Sequence, residues 1–184
     1  MLLWKNLSPG ENPPEVLNAI IECPQGSKTK YELSKKANVI LLDRPLHSSV
    51  MYPHDYGLIP GTLSLDGDPL DILVLSTTSL IPLTVVQVKP IGMLLMEDEK
   101  GVDEKILSVA VSDPVYKDFE NLIEVPMHYL SEITEFFRTY KNLEEPKYAI
   151  VKEWKDKADA YQVIKESIQR FKNKYGEVDQ VEPF

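Results

Sequence analysis

Cys23 is the only cysteine in 184 residues, which excludes an intramolecular disulfide, a cross-linked secreted scaffold and a multi-cysteine zinc site. Long apolar runs are missing as well, none approaching the ~18 residues of a membrane-spanning helix. The opening Met1-Leu2-Leu3-Trp4-Lys5-Asn6 has no basic segment followed by an apolar stretch, so the expected location is cytoplasmic, with no membrane partner. Basic residues are scarce: 20 Lys and Arg face 29 Asp and Glu, a net charge of −9. That field repels polyanions at long range and makes nucleic acid a poor partner. A small anion can still bind where local cations or bound metals reverse the sign. His47, His54 and His128 stand at none of the spacings that zinc enzymes use and read as surface, loop or packing residues.

What is present is ordinary for a globular chain, with 43% hydrophobic and 27% charged residues. The length suits one domain, 1–184, large enough to bury about 70% of its unfolded surface. Fourteen prolines, spread mostly ahead of Met127, break the chain into short pieces. Val16–Glu22, Thr29–Leu33, Asn38–Arg44, Ile72–Leu75, Thr84–Lys89, Ile91–Met96 and Lys105–Val111 read as strands of a small closed or nearly closed sheet. Leu130, Ile133, Phe137 and Tyr140, then Tyr161, Ile164, Ile168, Phe171 and Tyr175, recur at helical spacing. Strands followed by two helices indicate an α+β fold. The acidic tail from Glu177 to Glu182 reads as solvated chain.

Asp66-Gly67-Asp68-Pro69-Leu70-Asp71 sets three carboxylates in six residues, and Ile72-Leu73-Val74-Leu75 follows at once. Alone, the segment reads equally well as a polar turn or as a metal site. Its context favours crowding, because the third acid opens a buried strand. Carboxylates ~5 Å apart repel by about 3 kcal/mol at an effective dielectric near 20, a cost that a cation removes. Convergence requires the bend that Gly67 and Pro69 permit. The spacing is not that of an EF-hand, which needs an oxygen ligand where Leu70 stands and a glycine where Asp71 stands. Oxygen donors of high charge suit Mg²⁺ or Mn²⁺ holding a phosphate-bearing substrate. Glu97-Asp98-Glu99 with Asp103, around Lys100-Gly101, reads by itself as a hairpin tip, and beside the first cluster as the other side of a multi-metal site. Lys28, Lys30 and Glu32 share one strand face, Asp43-Arg44-Pro45 ends a strand, and Tyr140-Lys141 ends the first long helix. Tyr52-Pro53-His54-Asp55-Tyr56-Gly57 reads as a packed loop.

Together these residues resemble the family I soluble inorganic pyrophosphatases. The segment Asp66-Gly67-Asp68-Pro69-Leu70-Asp71-Ile72 looks like the family signature, and around it, in the family's order, stand Glu22, Lys30-Tyr31-Glu32, Asp43-Arg44, Tyr52-Pro53, Tyr56-Gly57, Asp98-Glu99, Asp103, Lys105 and Tyr140-Lys141. The likeness runs from Glu22 to Lys141, most of the chain. It implies a five-stranded, OB-like β-barrel flanked by two C-terminal helices, a homohexamer, and Mg²⁺-dependent hydrolysis of pyrophosphate by a metal-activated water. It further implies that Asp66, Asp71, Asp98, Asp103 and Glu32 serve several metal ions and that Asp68 is the general base. Lys30, Arg44, Tyr56, Lys105, Tyr140 and Lys141 then hold phosphoryl oxygens, with Lys30, Arg44 and Tyr56 also counted as catalytic and Glu22 supporting. Two other readings are a metal-dependent phosphohydrolase acting on nucleotides and, from a different class, a non-catalytic OB-like binding protein.

Overall fold

The computed structural model describes residues 2–176 and 178–183, so Met1, Glu177 and Phe184 lie outside the described residues. Its strands are β1 (Leu17–Cys23), β2 (Thr29–Leu33), β3 (Ile40–Pro45), β4 (Asp55–Leu58), β5 (Asp71–Leu75), β6 (Val85–Asp98), β7 (Gly101–Ala110) and β8 (Ala149–Lys155). Helices are α1 (Leu3–Asn6), α2 (Met127–Thr139) and α3 (Lys157–Tyr175).

Strand β5 shows why the sheet closes. Its run Ile72-Leu73-Val74-Leu75 has no polar face, and all four residues are fully buried. Leu73 and Leu75 join Phe136 and Phe137 of α2, while Ile72 and Val74 join Ala160 and Ile164 of α3. Around it the strands run β1-β4-β5-β7-β6, and β6 returns to pair with β1, which completes a ring of five. The β5–β7 pairing is parallel and the other pairings of the ring are antiparallel. The ring is not a bare barrel: β8 lies along the second half of β6, and β2 with β3 forms a separate two-stranded sheet.

Three local expectations change. Pro90 does not end a strand; β6 runs through it, and the register shift between Pro90 and Gly92 absorbs the missing N–H as a bulge. The stretch expected as a packed loop around Tyr56 is partly β4, a central strand whose turn-forming neighbours hid it. Gly57 is required there, because a Cβ would lie 1.9 Å from the Ile20 carbonyl oxygen. The tail is also more than solvated chain: the Val181 N–H donates to Asn6 O at 2.8 Å, and Ser8 N–H donates to Val181 O at 3.0 Å.

Both long helices follow their apolar stripes. Helix α2 buries Ile133, Phe136 and Phe137, and α3 buries Ala160, Ile164, Ser167 and Phe171. Asp156 caps α3 by accepting from Ala158 N and Asp159 N, a contribution of about 1 kcal/mol. No helix among the described residues is long and apolar enough to cross a membrane.

His54 is packed edge-on against Tyr129 of α2, 4% exposed, and neither ring nitrogen has a hydrogen-bond partner. Burial pulls its pKa down to about 4, with Glu132 opposing weakly. Because the unfolded chain takes this proton near pH 6.5 and the folded chain only near 4, the contribution is complete above 6.5 and fades as pH falls toward 4. Between pH 7 and pH 5 the loss from this group is about 2 kcal/mol. Urea melts of the protein and of His54→Leu at both pH values are expected to differ by that amount in their acid dependence; equal dependence would refute it.

Candidate active site

Five ring-derived segments and the separate hairpin open onto one cavity of about 330 Å³. Glu22 ends β1, Lys30 and Glu32 lie on β2, Arg44 on β3, Tyr56 on β4 and Asp71 starts β5. Asp98 ends β6, Asp103 and Lys105 lie on β7, and Tyr140 and Lys141 follow α2. With Asp66 and Asp68 these are all the residues to which the family resemblance gives a role, and each lines the cavity.

Register explains several neighbours. Asp71 is level with Lys105 in the parallel β5–β7 pair, and Lys105 shares a strand face with Asp103 two residues away. Lys30 and Arg44 are cross-strand partners on the hairpin. The hairpin is anchored to the ring by Glu22, whose carboxylate accepts from Leu33 N at 2.6 Å. Burial pushes the Glu22 carboxyl up to about 8, against the pull of that N–H and of Lys30. The turn before β5 has Gly67 at φ 89°, the conformation that a tight bend between two aspartates needs, and Asp68 N–H donates to Asp66 Oδ1 at 3.0 Å.

The acids given a role at the site each face a cation or a donor. Lys105, 4% exposed, sits between Asp71 and Asp103, donates to Asp103 Oδ1 at 2.6 Å and lies 3.3 Å from the Tyr56 hydroxyl. Burial pulls the Lys105 ammonium down, but Asp71 and Asp103 outweigh it and hold the group well above the ordinary lysine range. Burial also raises the Asp103 carboxyl and the phenols of Tyr56 and Tyr140, Tyr56 the more strongly of the two. Lys100 spans Asp66 and Asp68 at 3.2 and 3.0 Å, and Lys35 also pairs with Asp68. Burial raises the Asp68 carboxyl, yet these two lysines prevail and keep it below its usual range. Lys141 meets Asp98 at 2.9 Å and Glu99 at 3.0 Å. Lys30 pairs with Glu32 and, at 3.4 Å, with Asp43.

Among the described residues, no three His, Cys, Asp or Glu side chains are gathered closely enough to form a metal cage, because lysines stand between the acids. As a donor set the cavity nevertheless offers oxygen, chiefly carboxylate, with no imidazole or thiolate among the described residues that line it, which fits a hard divalent cation. Lys35, Lys100 and Glu144 were not expected from the sequence. Lys35 and Lys100 occupy ordinary turn and hairpin-tip contexts, and only the folded chain brings them within reach of Asp68, 33 and 32 residues away.

The family model "Inorganic pyrophosphatase" matches residues 19–172. The chain is 51% identical over 152 residues to the inorganic pyrophosphatase of Methanosarcina mazei, covering 83% of this chain and 89% of that protein. It is 44% identical to the inorganic pyrophosphatase of Aquifex pyrophilus, covering 92% and 97%. Among solved structures, the inorganic pyrophosphatase of Thermus thermophilus superposes with a TM-score of 0.90 at 44% identity, covering 92% of this chain and 99% of that one.

Proposed function

This chain belongs to the inorganic pyrophosphatase family, and on that premise we propose that its carboxylate-lined cavity hydrolyses pyrophosphate to two orthophosphates. One observation carries the assignment of the site: acids from β5, β6, β7 and the turn before β5 share one cavity with Lys30, Arg44, Lys105 and Lys141. Such a mixture suits a small, highly charged anion that arrives with cations, and it reconciles the net charge of −9 with an anionic substrate.

Asp66, Asp71, Asp98, Asp103 and Glu32 are the residues that would hold divalent ions, Mg²⁺ first and Mn²⁺ or another hard ion in its place. Bound there, such ions supply charge neutralisation and a water acidic enough to react near neutral pH. The chain's own groups do the rest. Lys30, Lys105 and Lys141 neutralise phosphoryl oxygens as point charges, and the Arg44 guanidinium donates to a phosphoryl oxygen in a fixed plane. Tyr56 and Tyr140, kept as phenols by burial, donate hydroxyl hydrogen bonds. Asp68 accepts the proton of the attacking water. Glu22 supports the arrangement by fixing β2. Phosphoryl transfer depends mainly on such positioning and electrostatic stabilisation.

The whole chain, 1–184, is read as one domain that works in the cytoplasm. Assembly as a homo-oligomer, a hexamer by family likeness, agrees with the exposure of the large apolar side chains Ile123 and Met127, 93% and 77% exposed. Pure protein with Mg²⁺ is expected to release orthophosphate from pyrophosphate, to act far more slowly on ATP, and to stop when a chelator is added. Turnover of ATP without turnover of pyrophosphate would refute the substrate, and sedimentation tests the hexamer.

A further inference from the structure

The Arg44 side chain lies between two carboxylates, and one of them, Glu144, is unusual. It is 5% exposed, it sits in the turns that follow α2, and its carboxylate approaches Arg44 Nε at 2.6 Å. Neither Glu144 oxygen makes an aligned hydrogen bond, and among the described residues the only other cation near it is Lys147 at 3.7 Å. A buried carboxylate costs several kcal/mol unless an opposite charge offsets it, so Arg44 is what keeps this charge in place.

The converse has a consequence for the site. Arg44 rides on the separate β2–β3 hairpin, whereas Glu144 belongs to the turns that also carry Lys141: Glu144 N–H donates to Lys141 O at 2.9 Å, and Lys147 N–H to Glu144 O at 2.8 Å. Asp43 takes the Nη1 side of the guanidinium and Glu144 faces Nε, which leaves the Nη2 edge for a substrate. Two carboxylates on two sides fix both the plane and the direction of the fork.

We propose that Glu144 is a positioning residue that aims the Arg44 guanidinium at a phosphoryl oxygen of pyrophosphate and couples the hairpin's phosphate contact to that of Lys141. The proposal rests on the reading of Arg44 as a phosphate contact. Its test is steady-state kinetics of the purified protein with Mg²⁺ and pyrophosphate, for Glu144→Gln, Arg44→Ala and the double variant. Glu144→Gln is expected to raise KM about tenfold with kcat within about twofold, and to add nothing further in the Arg44→Ala background. Should Glu144→Gln fail to fold, Glu144→Asp keeps the charge one methylene short and is expected to raise KM severalfold at constant kcat. An unchanged KM in the folded Glu144 variant, a fall in kcat alone, or a full additional effect on top of Arg44→Ala would overturn the proposal while Arg44→Ala still raises KM. An Arg44→Ala variant with normal KM would remove the phosphate contact itself, and the proposal with it.

Discussion

Asp68→Asn is expected to lower kcat for pyrophosphate about a thousandfold, the middle of the range that a positioned general base supplies. The amide is the same size and keeps the turn's backbone bonds, including Asp68 N–H to Asp66 Oδ1, but it cannot accept a proton. Its lost partners are Lys35 and Lys100, both about half exposed, and exposed pairs contribute ~1 kcal/mol or less. Stability is therefore expected to move little while turnover collapses. Phosphate release under saturating substrate, with a thermal melt of the same sample, separates the two effects. A folded Asp68→Asn protein with normal turnover removes Asp68 from the base role.

The second large effect is expected at Asp71, which opens β5 level with Lys105. Asp71→Ala removes a carboxylate oxygen from the centre of the donor set, and divalent-ion affinity is expected to fall by about a hundredfold, the upper end of what even supporting residues of metal sites contribute. It also leaves the buried Lys105 ammonium with Asp103 as its remaining carboxylate partner. Losing one partner of a buried pair costs on the order of 3 kcal/mol, so this variant, unlike Asp68→Asn, is expected to melt lower as well. Titration of Mn²⁺ followed by its electron-spin signal reads the affinity directly. A wild-type titration curve would contradict the placement of Asp71 among the metal-holding residues.

The parts of this site that were legible in the sequence are those whose chemistry is local. Asp66 to Ile72 combines a bend, three acids and the start of an apolar strand in seven residues, so that one short segment announces both the turn and its charge. The Asp98–Asp103 hairpin and the stripes of α2 and α3 are legible for the same reason: period and turn chemistry lie within one element. Strand β4 was hidden because Pro53 and Gly57 are turn formers, and only the 1.9 Å approach of the Ile20 carbonyl to a would-be Cβ explains the glycine in a central strand. Strand β8 was missed because its short apolar alternation follows a turn-rich stretch without a chemical marker. Pro90 looked like a stop, yet a bulge can carry a strand past a missing donor. The partners that set the charge state of the site, Lys35, Lys100 and Glu144, are long-range: Glu144 meets a residue a hundred positions earlier in the chain. No spacing rule reports such a contact, and the docking of Val181 beside Asn6 and Leu7 is hidden for the same reason.

The most direct test is a crystal structure of the protein with Mg²⁺ and a non-hydrolysable diphosphate. Electron density for magnesium between the oxygens of Asp66, Asp71 and Asp103, with the diphosphate against Lys30, Arg44 and Lys141, is the expected result. A diphosphate bound elsewhere, with Lys105 still lodged between Asp71 and Asp103 and no ion in the cavity, would contradict it.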